Sequence, residues 1–134
     1  MCNNASMISD DEKSELITHV LEPARKSIKK LAQNKYPQDF KQQNLYRVAL
    51  TTELLKALKI FLDWMGAEAA NMGAEIAEVG AATGGSVSQG NVRRRMPHMR
   101  TFEAAIAGAN NIKKPVTVTI NGWNIIVNPD NWQD

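Results

Sequence analysis

Along the first two thirds of the chain, apolar residues recur every three or four positions; along residues 116–127 they alternate every second position. The first period predicts helices and the second a pair of half-buried strands. In "SDDEKSELITHVLEPARKSIKKLAQ", Ser9 followed three residues later by Glu12 forms a capping-box pattern. It opens a stripe of Leu16, Ile17, Val20, Leu21, Ala24, Ile28 and Leu31, which predicts a helix over about 10–33. Pro23 lies inside that stripe, removes a backbone donor and crowds the preceding turn, so a kink or break is expected at 20–23. "NKYPQD" reads as a connection.

From Asn44 onward, Leu54, Leu58, Phe61, Met65, Ala69, Met72, Ile76 and Val79 keep one apolar seam on a single helical face, despite Gly66 and Gly73. Two readings fit this stretch: one long helix, or two helices divided near one of the glycines. In either case the seam needs a partner, supplied by the first helix or by a second copy of the chain. Further on, "KKPVTVTINGWNIIVNP" carries Asn121-Gly122, the preferred pair for a two-residue type I′ turn. That turn pairs Ile120 with Trp123, Val118 with Ile125 and Val116 with Val127, placing all six on one face and Thr117, Thr119, Asn124 and Ile126 on the other. An isolated hairpin is marginal in water, so its apolar face must pack on helices.

Composition fits one compact domain spanning 1–134, with 43% hydrophobic and 22% charged residues. No apolar run approaches a membrane span and no charged-then-apolar leader opens the chain; with a single cysteine, Cys2, these features lead us to expect a cytoplasmic protein without disulfides. The net charge of +2 is uninformative, but its distribution is not. Between Phe61 and Gly85 all charges are acidic, whereas Ser86 to Lys114 holds Arg93, Arg94, Arg95, Arg100, Lys113 and Lys114 against Glu103 alone. A second basic run, Arg25, Lys26, Lys29 and Lys30, has the spacing of a solvated helix face.

The basic stretch "GGSVSQGNVRRRMPHM" is the strongest candidate for function. Ser88 stands at an N-cap position, a short helix follows, and Pro97 ends or kinks it. Val87, Val92 and Met96 can face inward together, which leaves Gln89, Gly90, Asn91, Arg93 and Arg94 on the other side. These residue types suit DNA: Arg can bond bidentately to guanine, and Asn or Gln to adenine, while an arginine that misses a base still holds phosphate. Gly90 would permit close backbone approach. The bland alternative is a Gly-rich surface connection followed by an exposed basic helix.

"AEIAEVGAATGGSVSQGNVRRRM" resembles the helix-turn-helix of bacterial and phage regulators, in which an Ile-Ala pair on a short helix precedes a glycine-containing turn and a Val-Ser-x-x-x-Val recognition helix. Ile76 and Ala77 match the first helix, and Val87, Ser88 and Val92 the second. The interval between Ile76 and Val87 is longer than the family's, which favours a winged-helix variant with a longer connection. "RTFEAAIAGANNI", with Phe102, Ile106 and Ala109 at helical spacing, would continue the recognition helix or support the wing.

The resemblance implies a mainly α fold with a C-terminal β-hairpin: a helical N-terminal part at 10–65, available for dimerisation, and a winged helix-turn-helix-like half at 68–130. It implies a non-enzymatic repressor, a homodimer on double-stranded DNA. Gln89, Asn91, Arg93 and Arg94 would meet base edges or nearby phosphates, Ser88 would cap the recognition helix at the groove, and Arg95, Arg100, Lys113 and Lys114 would hold backbone. Asn121 would touch DNA from the wing; the alternative is a hairpin that only closes the core.

Other chemistry is poorly supplied. Two histidines and one cysteine make no metal site by spacing, no cofactor motif is present, and "GAATGGSVSQG" lacks the Gly-Lys-Ser/Thr ending of a P-loop. Arg93 and His98 satisfy the R-x4-H spacing that resembles HEPN-type ribonucleases, although Pro97 interrupts the helix such a pair would need. A third class is a protein-binding module or inhibitor from a phage or mobile element, acting through the N-terminal helices.

Overall fold

The computed structural model describes residues 7–85 and 88–132. The fold is mainly helical with a C-terminal antiparallel hairpin: α1 (Asp10–Leu16), a π-turn (Ile17–Leu21), α2 (Glu22–Lys35), α3 (Phe40–Asn71), α4 (Ile76–Ala82), α5 (Gln89–Arg95), α6 (Met99–Ile112), β1 (Val116–Ile120) and β2 (Trp123–Val127). The chain divides into two compact units, Met1–Lys56 and Ala57–Asp134, with the division inside α3.

In the first unit the expected capping box is present. The Glu12 amide donates to Ser9 Oγ at 3.2 Å, and Glu12 Oε1 accepts from the Ser9 amide at 3.0 Å. Those Ser9 bonds hold the Glu12 carboxyl below its usual range, because they favour its charged form. The break expected at Pro23 takes the form of the π-turn. The Glu22 amide reaches back five residues to the Ile17 carbonyl, and Pro23, which has no N–H to donate to the preceding turn, enters α2 in its first turn. α2 ends at Tyr36, whose carbonyl accepts from the buried Gln43 amide group, and the Tyr36 ring meets Tyr46 edge-on with centroids 5.6 Å apart. Asp39 then caps α3, accepting from the Gln42 amide at 3.0 Å, so the helix begins before Asn44.

α3 is one helix, and Gly73 rather than Gly66 marks its end. Gly73 has φ of 103°, a conformation that glycine adopts without strain, just past the last helical residue. Gly66 stays helical for a packing reason. A Cβ there would sit 2.6 Å from Met96 Cε, 3.2 Å from Met99 Sδ and 3.3 Å from Val79 Cγ1.

The face of α3 that is buried in the second unit is not the expected seam. Leu58, Phe61 and Met65 are 41, 49 and 39% exposed, whereas Ile60 and Ala67 are 4% and 0% exposed. Ile60 and Ala67 join Val79, Val92, Met96, Met99, Phe102, Ile106, Val118, Ile120 and Val127 in one core. The small Gly66–Ala67 pair lets α5 and α6 side chains approach α3 closely, and closeness outweighs side-chain size here.

The hairpin has the register expected from Asn121-Gly122: Val116 with Val127, Val118 with Ile125 and Ile120 with Trp123. Asn121 and Gly122 have φ of 50° and 84°, the two left-handed positions of a type I′ turn. Val118, Ile120 and Val127 are buried, and Thr117, Thr119 and Ile126 are exposed. α6 is a separate helix that packs on both strands, with Met99, Phe102, Ala105, Ile106 and Ala109 buried. It therefore supports the hairpin and does not continue α5.

Candidate nucleic-acid interface

The surface begins at α4. Glu75 and Glu78 form a capping box at its start, and Val79 and Gly80 bury its inner side against the core. Its last turn is closed by Thr83, whose hydroxyl donates to the Gly80 carbonyl at 2.7 Å. After the turn, Ser88 caps α5 as expected, accepting from the Asn91 amide at 3.3 Å. Val92 and Met96 are buried and anchor α5, whereas Gln89, Gly90, Asn91 and Arg94 are exposed. The inward position expected of Val87 lies outside the described residues.

The three consecutive arginines have three different situations. Arg93 turns back to α6, where its guanidinium donates bidentately to Glu103 at 2.8 and 3.3 Å, both side chains being mostly covered. This partly buried pair ties α5 to α6. The sequence pattern placed Arg93 among the residues expected at base edges or nearby phosphates; here its guanidinium is engaged by Glu103. Arg95 donates to Thr83 Oγ1 at 3.0 Å, which braces α5 against the end of α4. Arg94, one position away from each, points to solvent.

Arg100 is exposed in the first turn of α6, beside the α5 end of the unit. Lys113 and Lys114 follow the other end of α6, with Lys113 in the left-handed region at φ of 58°. Thirteen helical rises put about 20 Å between Arg100 and Lys113, so the two basic groups cannot meet the same phosphate. Asn121 occupies the hairpin tip, a full strand away from Lys114. Arg93 and His98 do not share a helix: α5 ends at Arg95, Pro97 follows, and His98 caps α6.

Three features of this unit carried no local sequence signal. Asp63 is 3% exposed on α3, and its Oδ2 accepts from the His98 amide at 2.9 Å, fixing the start of α6. Burial pushes its carboxyl above the usual range; the His98 amide bond and the charge interaction with His98 oppose the shift without cancelling it. Trp64 stacks on Phe102 with centroids 5.5 Å apart and planes within 6°, and an open apolar cleft of about 180 Å³ lies beside Trp64, lined also by Ile60, Phe61, Trp123 and Ile125. At the far end, Asp130 accepts from the Asn71 and Asn110 amide groups at 3.0 and 3.3 Å, and its own amide donates to Asn110 at 2.6 Å. Each joins residues far apart in the chain, and a local pattern cannot register that.

Among the described residues, no group of three or more His, Cys, Asp or Glu side chains is placed to hold a metal ion, and no helix is long and apolar enough to cross a membrane. Comparisons with protein-family models, with curated proteins and with solved structures returned no match for this chain.

Proposed function

We propose that the protein binds double-stranded DNA in a sequence-dependent way and acts as a transcriptional repressor, with α5 entering the major groove and the hairpin serving as a wing. The observation that carries this reading is the two-sided character of α5. One side is locked down by Val92, Met96, the Arg93–Glu103 pair and the Arg95–Thr83 bond. The other is polar and exposed, with Gln89, Gly90, Asn91 and Arg94. Seven helical residues span roughly 10 Å, short enough to lie within a groove about 12 Å wide.

In this reading Gln89, Asn91 and Arg94 meet base edges, Gly90 allows close approach, and Arg100, Lys113 and Lys114 hold phosphates. Arg93 and Arg95 set the angle of the helix. Such a division of labour separates positioning from reading.

Fluorescence anisotropy with selected and scrambled duplexes over a salt series tests it. Arg94→Ala should cost about 1–3 kcal/mol on the preferred duplex and relax its preference. Lys113→Ala/Lys114→Ala should weaken all duplexes alike and flatten the salt dependence by about 0.9 per lost phosphate contact. A folded Gln89→Ala/Arg94→Ala variant that binds every duplex as the wild type does would remove α5 as the reader.

A further inference from the structure

The helical segment Asp10–Lys35 carries an apolar stripe that is largely uncovered, with Ala24 and Ile28 half-buried. Leu16, Ile17, Val20, Leu21 and Leu31 are 43–55% exposed, and among the described residues of α1, the π-turn and α2 only Ala32 is buried. A run of exposed large aliphatic side chains of this kind marks an interaction surface. The charges of the same segment are sharply divided. Residues 10–22 hold Asp10, Asp11, Glu12, Glu15 and Glu22 against Lys13 alone, and residues 23–35 hold Arg25, Lys26, Lys29, Lys30 and Lys35 with no acidic residue.

We infer that two copies of this chain pair through Asp10–Lys35, antiparallel, about a twofold axis at Ala24. Two pairs of apolar residues are symmetric in sequence about that residue: Val20 and Ile28 lie four positions to either side, and Ile17 and Leu31 seven. An antiparallel pair centred there sets Val20 of one copy against Ile28 of the other and Ile17 against Leu31, and the twofold axis repeats both contacts. It also lays the acidic half of each copy on the basic half of the other. A parallel pair would set acid on acid and base on base, which the charge division opposes.

The segment is therefore complementary to itself in one orientation, and this identifies the occupant as a second copy. Its length suits the role, since a helical rod of roughly 38 Å paired along its whole length approaches the roughly 1,200–2,000 Å² of a specific interface. Leu16 and Leu21, both exposed, flank the stripe in the acidic half. Nothing in this pairing depends on DNA binding.

Cysteine trapping in the full chain, with Cys2→Ser to remove the one native thiol, tests the geometry. Under mild oxidation Ala24→Cys should link to itself. Ile17→Cys and Leu31→Cys should each stay unlinked alone and join when mixed. Sedimentation should also show that Lys26→Glu/Lys29→Glu/Lys30→Glu weakens self-association by about tenfold or more. Mixing that variant with Asp11→Lys/Glu12→Lys/Glu15→Lys should restore a dimer, which also shows that both variants remain competent to fold. Self-linking of Ile17→Cys would mean a parallel pair and overturn the inference. So would a monomer at tens of micromolar, or a dimer that none of these cysteines can trap.

Discussion

Placing a methyl group at Gly66 tests whether close approach to α3 organises the second unit. In an exposed helix, Gly→Ala is favourable by about 1 kcal/mol, because alanine loses less backbone entropy on folding. At Gly66 the new Cβ would lie 2.6 Å from Met96 Cε. Ordinary carbon contacts begin at about 3.5 Å, so the Met96 methyl must retreat by about 1 Å. Met96 is 2% exposed, and Met99 Sδ and Val79 Cγ1 crowd the same Cβ at 3.2 and 3.3 Å. Overpacking of this kind costs about 1–3 kcal/mol, which exceeds the propensity gain, and the net expectation is destabilisation of about 1 kcal/mol. Gly108, also helical, has no atom within 4 Å of a built Cβ, so Gly108→Ala should stabilise by about 1 kcal/mol. Urea unfolding followed by tryptophan fluorescence reports both, since Trp64 stacks on Phe102 in this core. Met96→Leu removes the clashing Cε and should make Gly66→Ala neutral or favourable in that background, a coupling that a double-mutant cycle measures. Equal stabilisation by Gly66→Ala and Gly108→Ala would refute the close-packing argument.

The buried Asp63 carboxyl binds its proton more tightly in the folded chain than in the unfolded one, so its contribution to stability is greatest below pH 3.8 and falls as pH rises through its higher folded value. Asp63→Asn keeps an acceptor for the His98 amide without the charge, and its stability relative to wild type should rise with pH across that acid window; urea midpoints from pH 3 to 7 giving a constant difference would contradict this. Gly90→Ala should raise stability by about 1 kcal/mol, since nothing lies within 4 Å of its Cβ. The same change should weaken duplex binding in an anisotropy titration, and unchanged binding would show that this face of α5 does not meet DNA. Gly122→Ala forces a side chain to φ of 84° and should cost about 1–2 kcal/mol in thermal or urea unfolding, with no gain elsewhere to offset it.

What the sequence determined by itself are the features written into neighbouring residues. Asn121-Gly122 sets the turn type, the turn type sets the register, and all five strand pairs follow. Ser9 with Glu12, and Ser88 ahead of Gln89, satisfy helix-end donors three residues away, so both starts are legible. Pro23 announces the break, although only the folded backbone shows that the break is a π-turn. The exposure of Gln89, Asn91 and Arg94 follows from the inward spacing of Val92 and Met96.

The tertiary structure decided every choice between equivalent local options. α3 is apolar on more than one side, so periodicity could not choose between the Leu58–Phe61–Met65 row and the Ile60–Ala67 row; the approach of Val79, Met96 and Met99 to Gly66 chose the second. Three adjacent arginines look alike in the sequence. Only packing distinguishes Arg93, paired with Glu103 on another helix, and Arg95, bonded to Thr83, from the outward Arg94. Asp63 sits among apolar residues of α3 with nothing local to mark it as buried; the amide of His98, thirty-five residues on, supplies the bond that makes burial tolerable. Local patterns encode what a residue's neighbours in the chain can satisfy, and these residues are satisfied by groups that only folding brings near.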